Sequence, residues 1–214
     1  MIVNLDNIKK SFGDISILKS LNFKLEQGQT ATILGHSGSG KSTLLSILGG
    51  TLRADSGVVN VLDHDLLSAS EDELSIMRRS RLGMIFQHFH LIPHLNALEN
   101  VLLPLEIQGI KDNSYAIELL EKVGLGHRLT HFPSQLSGGE KQRVAIARAL
   151  VHDPDLILAD EPSGSLDEKT GDEVMKLVFD LVKDQNKSLI LVTHNKELGK
   201  FTDRVLSLDQ GELH

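Results

Sequence analysis

The chain has 214 residues, a formal net charge of −7 and no cysteine. Its length suits one α/β domain with a sizeable core, and its acidic balance argues against a nucleic-acid partner. The lack of cysteine excludes disulfides and thiolate metal sites. Its apolar runs are far shorter than the ~20 residues that span a bilayer, and its first residues lack the apolar core of a signal peptide. We therefore expect a soluble cytoplasmic protein.

The first predicted elements are antiparallel strands. Apolar and polar residues alternate over Ile2–Leu5 and Leu21–Leu25, which is typical of strands with one buried face. Thr30–Leu34 is apolar enough for a buried strand and continues directly into a glycine-rich loop. The residues after that loop, Ser42–Gly49, predict a helix whose aliphatic side chains face inward.

The middle of the chain is predicted to be mainly helical. Val58–Leu62 and Leu82–Phe86 have the apolar character of strands, and residues 96–134 then follow a helical pattern. Proline and glycine interrupt that pattern, so we expect several short helices instead of one long helix. The predicted breaks are at Pro104, Gly109, Gly124 and Pro133.

The last third of the chain predicts a parallel crossover. Leu156–Asp160 and Ser188–Thr193 are nearly continuous apolar runs, typical of parallel strands that are covered on both faces. Asp167–Lys183 predicts the helix between them, and such strand–helix–strand units are right-handed. Because ligands of these sheets bind at the carboxyl ends of the strands, we expect the functional residues at that edge.

The loop after the first buried strand fits a phosphate-binding pattern. Gly35–Ser42 has the sequence GHSGSGKS and lies between a predicted strand and a predicted helix, as the motif requires. Its glycines allow backbone N–H groups to surround phosphate oxygens at the positive end of a helix. We expect Lys41 to reach the β- and γ-phosphates of ATP and Ser42 to ligate Mg²⁺. The alternative is a glycine-rich turn that binds nothing.

Polar residues at later strand ends extend the predicted site. Asp160 would hold Mg²⁺, and the adjacent Glu161 could polarise the water that attacks the γ-phosphate. His194, after the next apolar strand, could hydrogen-bond a γ-phosphate oxygen, and Gln87 could ligate Mg²⁺. Each residue alone is more often structural, so the functional interpretation depends on their common position at the strand ends.

A second motif opens a later helix. Leu136–Glu140 has the sequence LSGGE, in which Ser137 and Glu140 form the pattern of an ordinary capping box. A capping box does not explain Gly138 and Gly139, because glycine weakens the first turn of a helix. Close approach of this backbone to an anion would explain both glycines.

These motifs, in this order, resemble the ATPase subunit of an ABC transporter over essentially the whole chain. The resemblance implies a single ABC ATPase domain over residues 1–214 with an α/β fold. That fold has a P-loop (RecA-like) parallel-sheet core, an N-terminal antiparallel β subdomain and an inserted α-helical subdomain. The helical subdomain would occupy about residues 88–140, including the second motif, Leu136–Glu140, which is the signature motif of this family. The activity implied is Mg²⁺-dependent ATP hydrolysis.

The resemblance also implies a head-to-tail homodimer, or a heterodimer with a similar subunit, that encloses two ATP molecules. The partner protomer would supply Ser137 and Gly139, and Asp167 would join the two sites. Phe12 lies where the family has an aromatic residue on adenine, although a buried core phenylalanine is an equal alternative. The expected catalytic residues are Lys41, Gln87, Glu161 and His194, the metal ligands are Ser42, Gln87 and Asp160, and the nucleotide-binding residues are Phe12, Gly35, His36, Ser37, Gly38, Ser39, Gly40, Lys41, Ser42, Thr43, Gln87, Ser137, Gly138, Gly139, Asp160, Asp167 and His194.

Two histidine features need separate interpretation. His36 occupies the variable part of the phosphate loop, where proline or a small residue is frequent in the family, and we expect little effect on phosphate binding. His88, His90 and His94 lie close together, but no thiolate accompanies them and Pro93 interrupts any helix. We expect these three histidines in a segment that contacts a membrane subunit instead of in a metal site.

The segments Leu82–Gln87 and Leu91–Val101 resemble the branch of the family that includes the LolD, MacB, FtsE and YbbA types. That resemblance implies an integral membrane permease subunit with a large extracytoplasmic domain, and a location at the cytoplasmic face of the bacterial inner membrane. The work implied is export, release or mechanotransmission of lipoprotein, lipid or another hydrophobic cargo. The alternatives are a regulatory ATPase of the cell-division type and a soluble mechanical ABC ATPase acting on DNA or ribosomes.

Overall fold

Ten strands form two β-sheets in the computed structural model, which describes the whole chain, Met1–His214. The strands are β1 (Val3–Phe12), β2 (Ile15–Leu25), β3 (Thr30–Leu34), β4 (Ser56–Val61), β5 (His64–Asp65), β6 (Leu82–Phe86), β7 (Leu156–Asp160), β8 (Ser188–Thr193), β9 (Arg204–Asp209) and β10 (Glu212–Leu213). The antiparallel sheet has the order β2-β1-β4-β5, and the larger sheet has the order β10-β9-β3-β8-β7-β6. In the larger sheet β9, β3, β8, β7 and β6 are parallel, so their carboxyl ends share one edge.

Six α-helices pack on these sheets, and several begin at side chains that cap them. Ser70, Asn96 and Ser137 each accept a hydrogen bond from the backbone N–H three residues later, and a glutamate at that position returns the contact. These capping boxes satisfy N–H groups that a helix start otherwise leaves unpaired. The helices are α1 (Lys41–Leu48), α2 (Glu71–Arg81), α3 (Ala97–Ile107), α4 (Ser114–Lys122), α5 (Gly138–Leu150) and α6 (Glu168–Asp184).

The strands of the larger sheet divide the interior into two hydrophobic clusters. Leu156 and Leu158 of β7 pack into the cluster that contains α1 and the antiparallel sheet. Ile157 and Ala159, on the opposite face of β7, pack into the cluster that contains α3 to α6. Side chains of a strand alternate between faces, so a continuous apolar run predicts this double burial. The α/β fold with a parallel core and an antiparallel sheet is confirmed.

One predicted helix break is wrong. α3 continues through Pro104, whereas Gly109 and Gly124, both with positive φ, do follow the ends of α3 and α4. Proline removes one backbone hydrogen bond, but Val101 and Leu105 on either side of it are buried. Packing of that apolar face therefore outweighs the local preference of proline, since most helix stability in proteins comes from tertiary contacts.

Several elements lie outside the sequence predictions, and α2 and β9 are the longest α-helix and strand among them. α2 precedes β6, and β9 pairs with β3 beside the glycine-rich loop. β9 is half-exposed over most of its length, and Leu208 alone is fully buried in it, so its sequence lacks the long apolar run that identified β7 and β8. Its last residue, Asp209, reaches the loop that follows β3. None of the helices has the length and apolar composition needed to cross a bilayer.

Candidate functional site

A cleft of about 510 Å³ opens at the carboxyl edge of the larger sheet. The strands β3, β6, β7 and β8 end beside it, which is the position expected for ligands of parallel sheets. Its volume lies in the range of small-molecule sites, and Ile17 is the one hydrophobic residue among those that line it. The residues around it are Ile17, Ser37, Gly38, Gly40, Lys41, Ser42, Thr43, Gln87, Asp160, Glu161 and His194.

The glycines of the loop are required by its backbone. Gly40 has φ 102° at the start of α1, and a Cβ there would lie 3.1 Å from side-chain carbons of both Ile17 and Leu18. A Cβ on Gly35 would lie 2.5 Å from Ser39 Oγ, closer than real Cβ atoms approach another atom. Only glycine accommodates such a backbone at these two positions, so the loop holds its N–H groups around a concave surface.

Lys41 is buried at the base of the loop. Its Nζ donates hydrogen bonds to the carbonyl oxygens of Gly35, at 2.6 Å, and His36, at 3.0 Å. The same Nζ lies 3.7 Å from Oε1 of Glu161. The Lys41 ammonium group can hold the loop in shape without a ligand. When a phosphate enters, the same group can move its hydrogen bonds to the phosphate oxygens.

Glu161 is the most heavily engaged carboxylate in the cleft, with a side chain only 14% exposed. Its Oε2 accepts hydrogen bonds from Thr193 Oγ1, at 3.0 Å, and from the backbone N of His194, at 3.3 Å. His194 Nδ1 also lies 3.0 Å from this oxygen, although the imidazole is 70% exposed. Glu161 itself has φ 45°, a left-handed conformation that is uncommon for a residue with a side chain and recurs at functional sites.

Asp160, Ser42 and Gln87 offer oxygen ligands on one side of the cleft. Burial raises the pKa of Asp160, and the negative charge of Glu161 acts in the same direction, while a hydrogen bond with Ser42 and the charge of Lys41 oppose both. A hydroxyl, one carboxylate and an amide suit Mg²⁺, which binds few protein oxygens and keeps other positions for water and phosphate. The donor set therefore fits this ion.

The segment that follows β7 packs against Gln87. Ser165 Oγ donates a short hydrogen bond to the Gln87 backbone oxygen. A Cβ on Gly164 would lie 2.9 Å from Gln87 Nε2, so the backbone of this segment packs closely on the amide. The segment thus connects the two sides of the cleft. Sequence reasoning missed this contact, as it missed Ile17 and the Thr193 hydroxyl.

The residues predicted from the second motif lie away from the cleft. Ser137 caps α5, accepting from Glu140 N at 3.2 Å, and a Cβ on Gly139 would lie 2.5 Å from Thr170 Cγ2. Asp167 likewise caps α6, accepting from Thr170 N at 3.1 Å. Packing of α5 against α6 therefore supplies a second reason for Gly139, beside the approach of an anion that the sequence suggested.

Four other predicted residues lie behind or beside the cleft. Gly35 and Ser39 form the inner side of the loop, and His36 points outward toward Asp209. The alternative of a buried core position for Phe12 is wrong, because this side chain is 52% exposed at the end of β1. Lys10 Nζ lies 5.3 Å from the centroid of its ring. An exposed aromatic ring next to the hairpin that carries Ile17 stays available to a ligand.

Of the three clustered histidines, His90 contacts an aromatic ring at the end of β6. His90 packs its ring on Phe86 with centroids 4.7 Å apart, and both Phe89 and His90 have positive φ. Arg148 donates hydrogen bonds to the carbonyl oxygens of both residues. No group of three His, Cys, Asp or Glu side chains in the molecule is arranged to hold a metal ion.

The phosphate loop, the strand-end carboxylates and the parallel core define a P-loop nucleoside triphosphatase. Comparison with known proteins refines this class, because the family profile described as "ABC transporter" matches residues 18–164. The chain is 44% identical over 213 residues to the "Lipoprotein-releasing system ATP-binding protein LolD" of Cytophaga hutchinsonii, covering 98% of this chain and 97% of that protein. It is 46% identical over 222 residues to the protein of the same name from Treponema pallidum, covering 99% and 97%.

Solved structures agree with the sequence relatives. The fold superposes with a TM-score of 0.89 and 40% identity on the dimeric post-hydrolysis state of the ATP-binding cassette MJ0796 bound to ADP and Pi, covering 99% of this chain and 96% of that one. The chain belongs to the ABC transporter ATP-binding family. It is an ATP-binding subunit of an ABC transporter-like complex, and it hydrolyses ATP.

Proposed function

We propose that this chain powers a lipoprotein-releasing type of complex as a homodimer at the cytoplasmic face of the bacterial inner membrane. Relatives that match nearly the whole chain are named for lipoprotein release, and a similar structure is a dimer. The observation that carries the catalytic part of the proposal is the position of Glu161. Its carboxylate lies between the loop lysine, 3.7 Å away, and the imidazole of His194, 3.0 Å away.

Hydrolysis follows from that position. The loop N–H groups and Lys41 bind the phosphates and neutralise their charge. Glu161 accepts the hydrogen bond of a water, whose oxygen attacks the γ-phosphorus as the bond to the ADP oxygen breaks. The proton of the water passes to the carboxylate or to the departing phosphate, giving ADP and Pi. His194, fixed by Glu161 and largely exposed, donates to a γ-phosphate oxygen and orients the water.

Ser42, Asp160 and Gln87 would hold Mg²⁺ beside the phosphates. When bound, this ion would supply positive charge that stabilises the phosphate oxygens in the transition state. Asp160 must then be ionised, although burial raises its pKa in the nucleotide-free protein. Lys41 and the Ser42 hydroxyl favour the ionised carboxylate and so prepare the site for a cation.

The dimer would complete each site. Ser137 and Gly138 are exposed on the first turn of α5, away from the cleft of their own chain. A helix start presents N–H groups and positive potential, which suits a nucleotide phosphate held by the partner protomer. Asp167 at the start of α6 borders a smaller cavity that also contains Glu161 and His194. It would therefore connect the interface to the catalytic carboxylate.

A second cavity of about 510 Å³ would provide the surface for the membrane subunit. It lies between α2, β6, α3 and α5, and its lining combines apolar side chains, which include Phe86 and Ile107, with three arginines, Arg78, Arg79 and Arg148. Burial lowers the pKa of Arg148, and its partners in the chain are carbonyl oxygens instead of a carboxylate. This combination fits a short amphipathic helix of the permease that carries an acidic side chain.

Capture of partners from membranes tests the assembly. The Glu161→Gln chain is incubated with ATP and solubilised membranes, and bound proteins are identified by mass spectrometry. We expect a membrane protein with few spans and a large extracytoplasmic domain. Ile107→Glu, in the lining of the second cavity, should abolish this capture. Ile76→Glu changes an equally apolar exposed residue outside that lining and should not. Recovery of soluble partners alone would favour the regulatory or mechanical alternative.

A further inference from the structure

The ring of His36 joins the phosphate loop to the end of β9. Its Nδ1 lies 2.9 Å from the carbonyl oxygen of Ser37, and its Nε2 lies 3.2 Å from Oδ1 of Asp209. Both partners are hydrogen-bond acceptors, whereas a neutral imidazole has only one N–H. Only the protonated ring donates to both at once. The contact geometry therefore favours an imidazolium at this position.

The contact with Ser37 sets the direction of a neighbouring donor. The Ser37 carbonyl belongs to the same peptide unit as the N–H of Gly38, and in a trans peptide these two groups point in opposite directions. When the His36 ring holds the carbonyl on the outer side of the loop, the Gly38 N–H is directed to the inner side. Gly38 lines the cleft there, with φ 82°.

Two cationic side chains thus restrain three consecutive carbonyls of the loop. Lys41 binds the oxygens of Gly35 and His36, and the His36 ring binds that of Ser37. If the Lys41 ammonium group moves to bind a phosphate, its hydrogen bonds to the carbonyl oxygens of Gly35 and His36 are weakened. The His36 contact does not depend on Lys41, and it anchors the loop to Asp209 of a neighbouring strand.

We propose that protonated His36, anchored on Asp209, is a positioning residue that presets the phosphate loop and strengthens the binding of adenine nucleotides. This inference rests on the proposed role of the loop in phosphate binding. It replaces the expectation that the histidine has little effect. The consequence is a nucleotide affinity that depends on pH through this histidine.

The direction of that dependence follows from the groups that face the ring. Hydrogen bonds to the Ser37 carbonyl and to Asp209 raise the pKa of His36 above its ordinary value, while desolvation of the ring and the charge of Lys41 from α1 oppose them. Because the folded-state pKa is raised, the protonated ring contributes fully at acidic pH and its contribution is lost as the pH rises through that value. Nucleotide affinity should fall over the same interval.

Equilibrium binding of ADP tests this, because ADP contacts the loop through its phosphates and is not consumed. Dissociation constants are measured from about pH 6 to about pH 9, a range that brackets the ordinary histidine pKa. We expect the wild type to lose affinity about threefold to tenfold over this range, the worth of roughly one hydrogen bond. His36→Gln should lack this loss and bind at the weaker level, and His36→Arg should lack it and bind near the tighter level, each compared with the wild type at the same pH because the terminal phosphate of ADP also titrates in this range. Equal pH dependence in wild type and His36→Gln would overturn the proposal.

A second pair of variants separates anchoring from simple charge attraction. Asp209→Asn should weaken ADP binding near neutral pH and move the midpoint of the wild-type curve to lower pH. Glu212→Gln, which removes a carboxylate of the same hairpin that lies near His214, should bind as the wild type does. Tighter binding by Asp209→Asn would show that only net charge matters and would refute the anchoring role. Wild-type ADP binding by Lys41→Ala would instead remove the phosphate-loop assignment itself.

Discussion

The phosphate-loop cleft and the signature segment, Leu136–Glu140, were both evident in the sequence, but the contacts that they make within the chain differ. The cleft brings the loop, Asp160, Glu161 and His194 within one cavity at one sheet edge. The signature segment lies on the first turn of α5, where its contacts are a capping box and close packing on Thr170. The phosphate loop meets its catalytic partners within its own chain, whereas the signature segment has only structural contacts there.

This difference shows what a single chain can establish about a shared site. Inside the cleft, distances between charged groups assign roles to individual atoms, such as Glu161 Oε1 opposite Lys41. In the signature segment, the contacts within the chain already account for Ser137 and for Gly139. Its function must therefore be tested by experiments that separate a contribution to helix stability from a contribution to a second protomer.

The largest effect is expected inside the cleft. Glu161→Gln should reduce turnover about 10²- to 10⁴-fold, because an amide accepts a proton far less readily than a carboxylate. Phosphate contacts of Lys41 and the loop are unchanged, so ATP should remain bound and hold a dimer. Phosphate release and size-exclusion chromatography with ATP measure the two results. Glu118→Gln, which removes an exposed carboxylate paired with Lys122, serves as the control, and undiminished turnover in Glu161→Gln would contradict the assignment.

Mixing two inactive variants tests whether the motifs meet across a dimer. Lys41→Ala lacks a working loop but keeps its signature segment, and Ser137→Ala has the reverse defect. If the site is shared, random mixing should restore about a quarter of wild-type turnover, since half of the dimers then contain one intact site. If both motifs served one chain, the mixture would stay as inactive as its components. Each variant alone, assayed at the same total concentration, is the reference.

The sequence predicted the cleft well because its parts are local. β6, β7 and β8 begin and end at the residues that the apolar runs indicated. The polar residues that follow them had to meet at one edge once the strands were parallel. The phosphate loop was recognisable because glycine spacing, lysine and serine are adjacent in the chain.

Contacts that depend on tertiary register were not accessible in this way. Ser165 reaches the Gln87 carbonyl, and Ile17 enters the cleft from the antiparallel sheet, although neither belongs to a motif. The contact of His36 with Asp209 required β9, a half-exposed strand without a distinctive apolar pattern. Packing also reversed one local preference, because α3 passes through Pro104.

A smaller effect should separate the two reasons for Gly139. In Gly139→Ala the new Cβ would lie 2.5 Å from Thr170 Cγ2, so we expect a loss of about 1–3 kcal/mol from overpacking. Thr170→Ser removes that methyl group and should restore most of the stability in the double variant. If packing is the whole role of the glycine, turnover returns with stability. Recovery of the unfolding midpoint without recovery of ATPase activity would instead place the glycine backbone against a nucleotide across the interface.

The smallest effect concerns Asp160 in the nucleotide-free protein. Because burial raises its folded-state pKa, this carboxylate favours folding when protonated and loses that contribution as the pH rises through the raised value. Asp160→Asn, which stays neutral, should therefore unfold at a slightly higher temperature than the wild type near pH 7, and the difference should shrink toward pH 4. The same variant should lose Mg²⁺-dependent turnover.

Thermal unfolding at both pH values measures the effect of Asp160→Asn on stability, and equal midpoints throughout would show that the buried charge does not destabilise the fold. A more stable but inactive variant would mean that the cleft retains an unfavourable buried charge for its catalytic use, in contrast to the capping box of the signature segment, which satisfies N–H groups at the start of α5.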